Sequence, residues 1–227
     1  MRLTIAERAA VYNRSFPQFP ASHLHVVQEQ GRDVLYGLWL LGNDYRTSST
    51  LYGSYPKGYL ERVGALFPDV HQPPLHIFSG SLPASPDYIR VDVHPGRRPD
   101  ICASVYDLEG VFAERDLAKR WLVFGDPPYS EEDAIEYGTA MVDRRRALAA
   151  IATITRPGGH LVWLDTVWPM HRKENWLTVG RLFVDELVEG DQGTSAPDDL
   201  TTVARIGLVR STNHRVRLIS IFERQAA

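Results

Sequence analysis

The chain has 227 residues, is 44% hydrophobic and 23% charged, and carries a formal net charge of −3. That length suits one sizeable core rather than two full domains, and the composition excludes wholesale disorder, collagen-like repeats and a coiled coil. The net negative charge excludes a histone-like polycation but leaves room for a local basic face, and the single Cys102 excludes an internal disulfide framework and a cysteine-rich zinc site.

The opening MRLTIAERAAVYNRSF reads as a short amphipathic helix that turns to charge too soon for a signal peptide. No apolar run reaches the about 18 residues of a membrane span, so the expectation is a soluble, cytoplasmic protein without a membrane partner. After the prolines Pro17 and Pro20, DVLYGLWLLG (33–42) reads as either a strand or a buried helical turn. Residues 42–58, rich in Gly, Ser, Thr and Tyr, read as a long ordered loop of the kind that carries function, and YLERVGALF as a helix closed by Pro68.

Short apolar runs then follow at regular spacing: LHIFSG (75–80), YIRVDVH (88–94), DICASVYDL (100–108) and WLVFGDPPY (121–129). A long helix is expected over about 131–155, ending at Arg156-Pro157-Gly158-Gly159, and a fifth strand, GHLVWLDT, at 159–166. EGDQGTSAPDD (189–199) reads as a mobile surface loop, and RIGLVRS (205–211) with RVRLISIFE (215–223) as a closing hairpin. Apolar strands alternating with turns and helices imply a parallel sheet covered on both faces, with an antiparallel edge from the hairpin.

Asp126-Pro127-Pro128-Tyr129 is the most specific feature. It directly follows an apolar strand, and ligands of open α/β sheets bind at the carboxyl ends of strands. The plain reading is a stiff turn in which Asp caps and Tyr packs. The chemical reading is a holder for an exocyclic amino group, whose nitrogen is a poor nucleophile because its lone pair is delocalised into the ring. A carboxylate and a rigid carbonyl can accept its two N–H bonds and free that lone pair. Two prolines lack N–H groups and fix φ, which leaves the Pro127 carbonyl as an acceptor, and an aromatic in fourth place can stack on a base.

LVFGDPPYS resembles the catalytic motif of the S-adenosylmethionine-dependent amino-group methyltransferases, above all the DNA adenine methyltransferases. LHIFSG is similar to their first-strand turn, VDVH to the acidic end of the second strand, VYDL to the third-strand acid, and RPGGHLVWLD to the helix, Pro-Gly-Gly turn and fifth strand. LYGSYPKGYLERV resembles the upstream motif that touches the methionine end of the cofactor. The motifs stand in the family's order over about residues 50–166, although the first-strand turn has one glycine where the family usually has two.

The resemblance implies an α/β fold of the Rossmann-like class I methyltransferase type: a mostly parallel seven-stranded sheet with an antiparallel terminal hairpin. Residues 51–227 would form the methyltransferase domain and 1–50 an N-terminal extension packed on it. The implied cofactor is S-adenosylmethionine, held by Phe78, Ser79, Gly80, Asp92, Asp107, Tyr52, Ser54, Lys57 and Tyr59; Asp126, Pro127, Pro128 and Tyr129 would be catalytic. The implied substrate is the 6-amino group of adenine in DNA. RNA, a small-molecule amine and a non-catalytic binding module on the same scaffold stay open, as does a homodimer.

Several of these residues carry a second reading. Asp92 binds ribose or caps its turn, Asp107 meets the adenine of the cofactor or begins a helix, and Phe78 lies under the cofactor or in the core. Tyr137 and Arg144 to Arg146 follow the catalytic motif and either meet the target or form a solvated helix face. Asn213, His214 and Arg215 lie in a tail with five Arg and one acid from residue 201 onward, and either hold phosphates or tie a polar hairpin loop. Trp163, Trp168 and Trp176 line a target pocket or pack in the core. The eight histidines show no metal-ligand spacing, so no metal is expected.

Overall fold

The computed structural model describes residues 2–41, 55–186 and 216–226. Helix α1 (Ile5–Ser15) starts at a capping box: the Thr4 hydroxyl accepts the Glu7 N–H at 3.2 Å, and the Glu7 carboxylate accepts the Thr4 N–H at 2.7 Å. Its buried Arg8 forks onto Asp69 at 2.6 and 2.8 Å, just beyond α2 (Tyr59–Leu66), and also donates to the Leu66 carbonyl. This buried, bidentate pair fixes α1 against α2.

Strands β1 (His25–Glu29) and β2 (Arg32–Leu41) follow, so the apolar run at 33–42 is a strand. Then come β3 (Leu75–Ile77), β4 (Ile89–Asp92), the very short β5 (Ile101–Cys102), α3 (Leu108–Glu114), β6 (Arg120–Gly125), α4 (Glu131–Glu136), α5 (Arg144–Ile154), β7 (Thr155–Asp165), β8 (Trp176–Glu186) and β9 (Arg217–Arg224). Among the described residues these make one nine-stranded sheet in the order β1-β2-β8-β9-β7-β6-β3-β4-β5. The run from β7 through β5 is parallel, and β9 lies antiparallel between β7 and β8. From β8 to β5 this is the seven-stranded, mostly parallel Rossmann-like order with an antiparallel terminal strand. The reversal of strand order falls between β3 and β6, where a doubly wound sheet opens its ligand crevice.

Three differences from the expectation have physical causes, and one expectation lies outside the described residues. The sheet has nine strands rather than seven, because β2 pairs in parallel with β8 and carries β1 antiparallel on its far edge; the segment up to Leu41 thus extends the same sheet. Strand β8 was not expected: an irregular register between Thr178 and Gly180 breaks the two-residue alternation of its apolar side chains. The described antiparallel partners of β9 are β8 and β7, while 205–211 and 189–199 lie outside the described residues. The single helix expected over 131–155 is two. Gly138 turns with φ +68° and stops α4, and the Asp143 carboxylate accepts the Arg146 N–H at 3.0 Å to start α5.

The sheet is covered on both faces. Helices α1 and α2 bury Tyr12, Tyr59, Val63 and Leu66 against Leu35, Trp39, Phe124 and Leu182 on one face. Helices α3 and α5 bury Leu108, Phe112, Leu148 and Ile151 against Leu75, Val91, Val123 and Trp163 on the other. No described helix is long and apolar enough to cross a membrane.

Candidate active site

The carboxyl ends of β3, β4 and β6 open on one cavity of about 440 Å³. It is lined by Phe78 and Gly80 after β3, by Asp92 and Val93 of the β4 end, by Ala103, Ser104 and Tyr106 after β5, and by the tetrapeptide Asp126–Tyr129 with Arg217 from β9. The segment from Tyr137 to Val142, between α4 and α5, lines it as well.

The first-strand turn is tightly wound. Phe78 has φ +60° and Gly80 φ +50°. The first is uncommon for a residue with a side chain and costs of order 1–2 kcal/mol. It turns Phe78 into the cavity wall, with its ring edge-on to Trp163 at 5.9 Å. Asp92 ends β4 and accepts the N–H of Gly80 and the N–H of His94, each at 2.9 Å. It therefore caps its turn and faces the cavity at once, and a carboxylate has about four lone-pair sites, which leaves two for a ligand. His94 Nε2 in turn donates to the Tyr137 carbonyl at 2.7 Å, joining the β4 end to the segment from Tyr137 to Val142.

Asp126 is half-buried at the end of β6, its open side in the cavity wall. Burial raises its carboxyl to about 7, the Tyr129 hydroxyl and the Arg217 charge pull it down, and Asp165 pushes it further up. The Tyr129 O–H donates to Asp126 Oδ1 at 2.6 Å. The tyrosine thus holds the carboxylate as well as bordering the cavity.

Behind the tetrapeptide lies a network that was not foreseen. Asp165, fully buried at the end of β7, accepts Arg144 Nε at 2.6 Å and Nη2 at 2.9 Å. It also accepts Trp163 Nε1–H at 3.0 Å and the Thr166 N–H at 2.7 Å. Arg144 Nη2 further donates to the Tyr129 carbonyl at 3.2 Å.

Of the cofactor-side residues, Phe78, Gly80 and Asp92 line the cavity. Ser79 is buried beside it, its N–H bonded to the Val91 carbonyl. Asp107 stands exposed and outside the cavity, because Ser104 starts a helical turn two residues after β5 that carries Tyr106, not the acid, to the wall. Lys57 is exposed and outside the cavity, Tyr59 is buried in the α2 face of the core, and Tyr52 and Ser54 lie outside the described residues.

On the target side, Tyr137 lines the cavity. Arg144 is turned inward onto Asp165 rather than displayed as a phosphate reader, and Asn213, His214 and Arg215 lie outside the described residues. Trp163 and Trp176 are core, whereas Trp168 is 39% exposed. His94, Arg97, Tyr106, Arg217 and the 138–142 segment were missed; each is brought in by topology, although Gly138 before a capping Asp143 was a readable break. No group of three metal-ligating side chains stands together among the described residues.

No family model matches the chain, and no curated protein matches it significantly. Among solved structures, the chain is similar to TrmN from Thermus thermophilus at 14% identity, covering 76% of this chain and 50% of that one, with a TM-score of 0.44. It is similar to SMU.776 complexed with SAH at 11% identity, covering 89% and 56%, with a TM-score of 0.43. An rRNA methylase from Streptococcus thermophilus matches at 8% identity over 69% and 89%, with a TM-score of 0.35. The chain thus spans about half the length of the first two.

Proposed function

We propose that the chain is an S-adenosylmethionine-dependent methyltransferase of an exocyclic amino group, with the 6-amino group of adenine in DNA as its target. The observation that carries this reading is one of placement. Asp126–Tyr129 at the end of β6 shares a cavity with the Phe78–Gly80 turn of β3 and with Asp92 of β4.

The cavity fits the cofactor. The left-handed turn at Gly80 allows close approach, Asp92 keeps lone pairs for ribose hydroxyls, and Val93, Ala103, Val105 and Tyr106 form an apolar wall for a base. When bound, S-adenosylmethionine supplies an electrophilic methyl group on a sulfonium. The chain's part is to hold the amine. Ionised Asp126 and the Pro127 carbonyl accept its two N–H bonds and bring its lone pair to bear, and Tyr129 keeps the carboxylate aimed. Asp126, raised to about 7, also suits a group that receives a proton as the amine is alkylated. A base in duplex DNA must leave the stack to reach it.

The test is transfer of a labelled methyl group from S-adenosylmethionine to DNA, RNA and free nucleosides in parallel, with wild type and Asp126→Ala. The reading requires labelled DNA from the wild type and none from the variant, with S-adenosylhomocysteine binding retained in both. Label on RNA or nucleosides alone would move the substrate, and label unaffected by Asp126→Ala would remove the assigned role.

A further inference from the structure

Both ends of the Asp126–Tyr129 tetrapeptide rest on the same short stretch of β7. At its start, Gly125 lies so close to the Trp163 indole that a Cβ there would come within 2.5 Å of the ring. Gly125 is also the register partner of Trp163 across β6 and β7. At its end, the Tyr129 carbonyl accepts from Arg144, whose guanidinium is locked by two bonds to Asp165. Trp163 Nε1–H closes the loop by donating to the same Asp165.

We propose that Arg144, Asp165 and Trp163 form a positioning bracket that sets the tetrapeptide's backbone, and with it the Pro127 carbonyl and Asp126, against the reacting amine. This rests on the methyltransferase reading above and assigns Arg144 an inward role. The prolines fix φ at two positions only; the orientation of the whole segment is left to its anchors. The bracket is built for that task. A planar guanidinium can hold a carboxylate through two parallel bonds while a remaining N–H meets a carbonyl, and Asp165 is fully buried and takes four N–H bonds. A lysine keeps the charge but cannot make the fork.

The experiment compares wild type, Arg144→Lys and Arg144→Met by steady-state methyl transfer to DNA and by amide hydrogen exchange of the 126–137 segment. The proposal expects kcat to fall about 10- to 100-fold in both variants, as for a misplacement of about 1 Å, with KM for S-adenosylmethionine within about twofold of wild type. Exchange in 126–137 accelerates in both variants, while the 75–92 segment is unchanged. Full activity in Arg144→Lys would show that charge alone suffices and would overturn the bracket. So would unchanged exchange in both variants, a reading that holds even if the wild type methylates nothing and the proposed function fails. Arg144→Lys, which retains the charge over Asp165, keeps the test valid if Arg144→Met does not fold.

Discussion

Replacing Asp126 by Asn removes a charge that the fold holds at a cost. Its carboxyl stands at about 7 in the folded chain against 3.8 for an unperturbed one, with burial as the leading cause. The folded state therefore binds the proton more tightly than the unfolded state. The sign follows: the penalty is absent below about pH 4, grows as pH rises, and is complete above about pH 7. At pH 8 it amounts to about 4 kcal/mol, and at pH 5 to a little under about 2 kcal/mol. Asparagine is close in shape to the protonated acid and carries none of it. At about 2–4 °C per kcal/mol for a domain of this size, Asp126→Asn should raise Tm by roughly 8–16 °C at pH 8, with the difference closing toward pH 4. Thermal unfolding in a buffer series measures this directly. Equal Tm values at pH 8, or an offset that does not change with pH, would refute the claim that the site holds a charge against burial. Methyl transfer should run the other way, rising through pH 7 in the wild type as Asp126 ionises.

Tyr129→Phe keeps the ring but removes the 2.6 Å donor to Asp126; the acid limb of the methyl-transfer pH profile should move up by about one to two pH units, since a hydrogen bond to a charged group is worth about 1.5–3 kcal/mol. Asp69→Ala strands the guanidinium of Arg8, which is 1% exposed, and should cost about 3–5 kcal/mol in denaturant unfolding; a loss below about 1 kcal/mol would show that α1 is held otherwise. Asp92→Ala removes the acceptor of the Gly80 and His94 N–H groups as well as the expected ribose contact, so calorimetry should show at least about tenfold weaker S-adenosylhomocysteine binding.

The parts of this molecule that could be read from its residues are those whose chemistry is local. LHIFSG, VDVH and GDPPY each pair a short apolar strand with the residue at its carboxyl end, and all three converge on the cavity. The parts that could not be read depend on partners distant in sequence. Arg144 begins an Arg-Arg-Arg run that looks like a solvated face, and only the return of β7 places Asp165 beneath it. Arg217 reaches the cavity because β9 runs antiparallel, which puts its first residue at the edge where the parallel strands end. Asp107 looked like the third-strand acid, but β5 stops at Cys102 and the helical turn from Ser104 sends it outward. Strand β8 was hidden by its irregular register.

The most direct test of the amine-methylation account is mass analysis of nucleosides from the DNA of cells expressing the wild type or Asp126→Ala. The account predicts N6-methyladenine with the wild type and none above background with the variant. The same methylated nucleoside from both proteins, or a methyl group found on a carbon or oxygen instead of an exocyclic nitrogen, would contradict it.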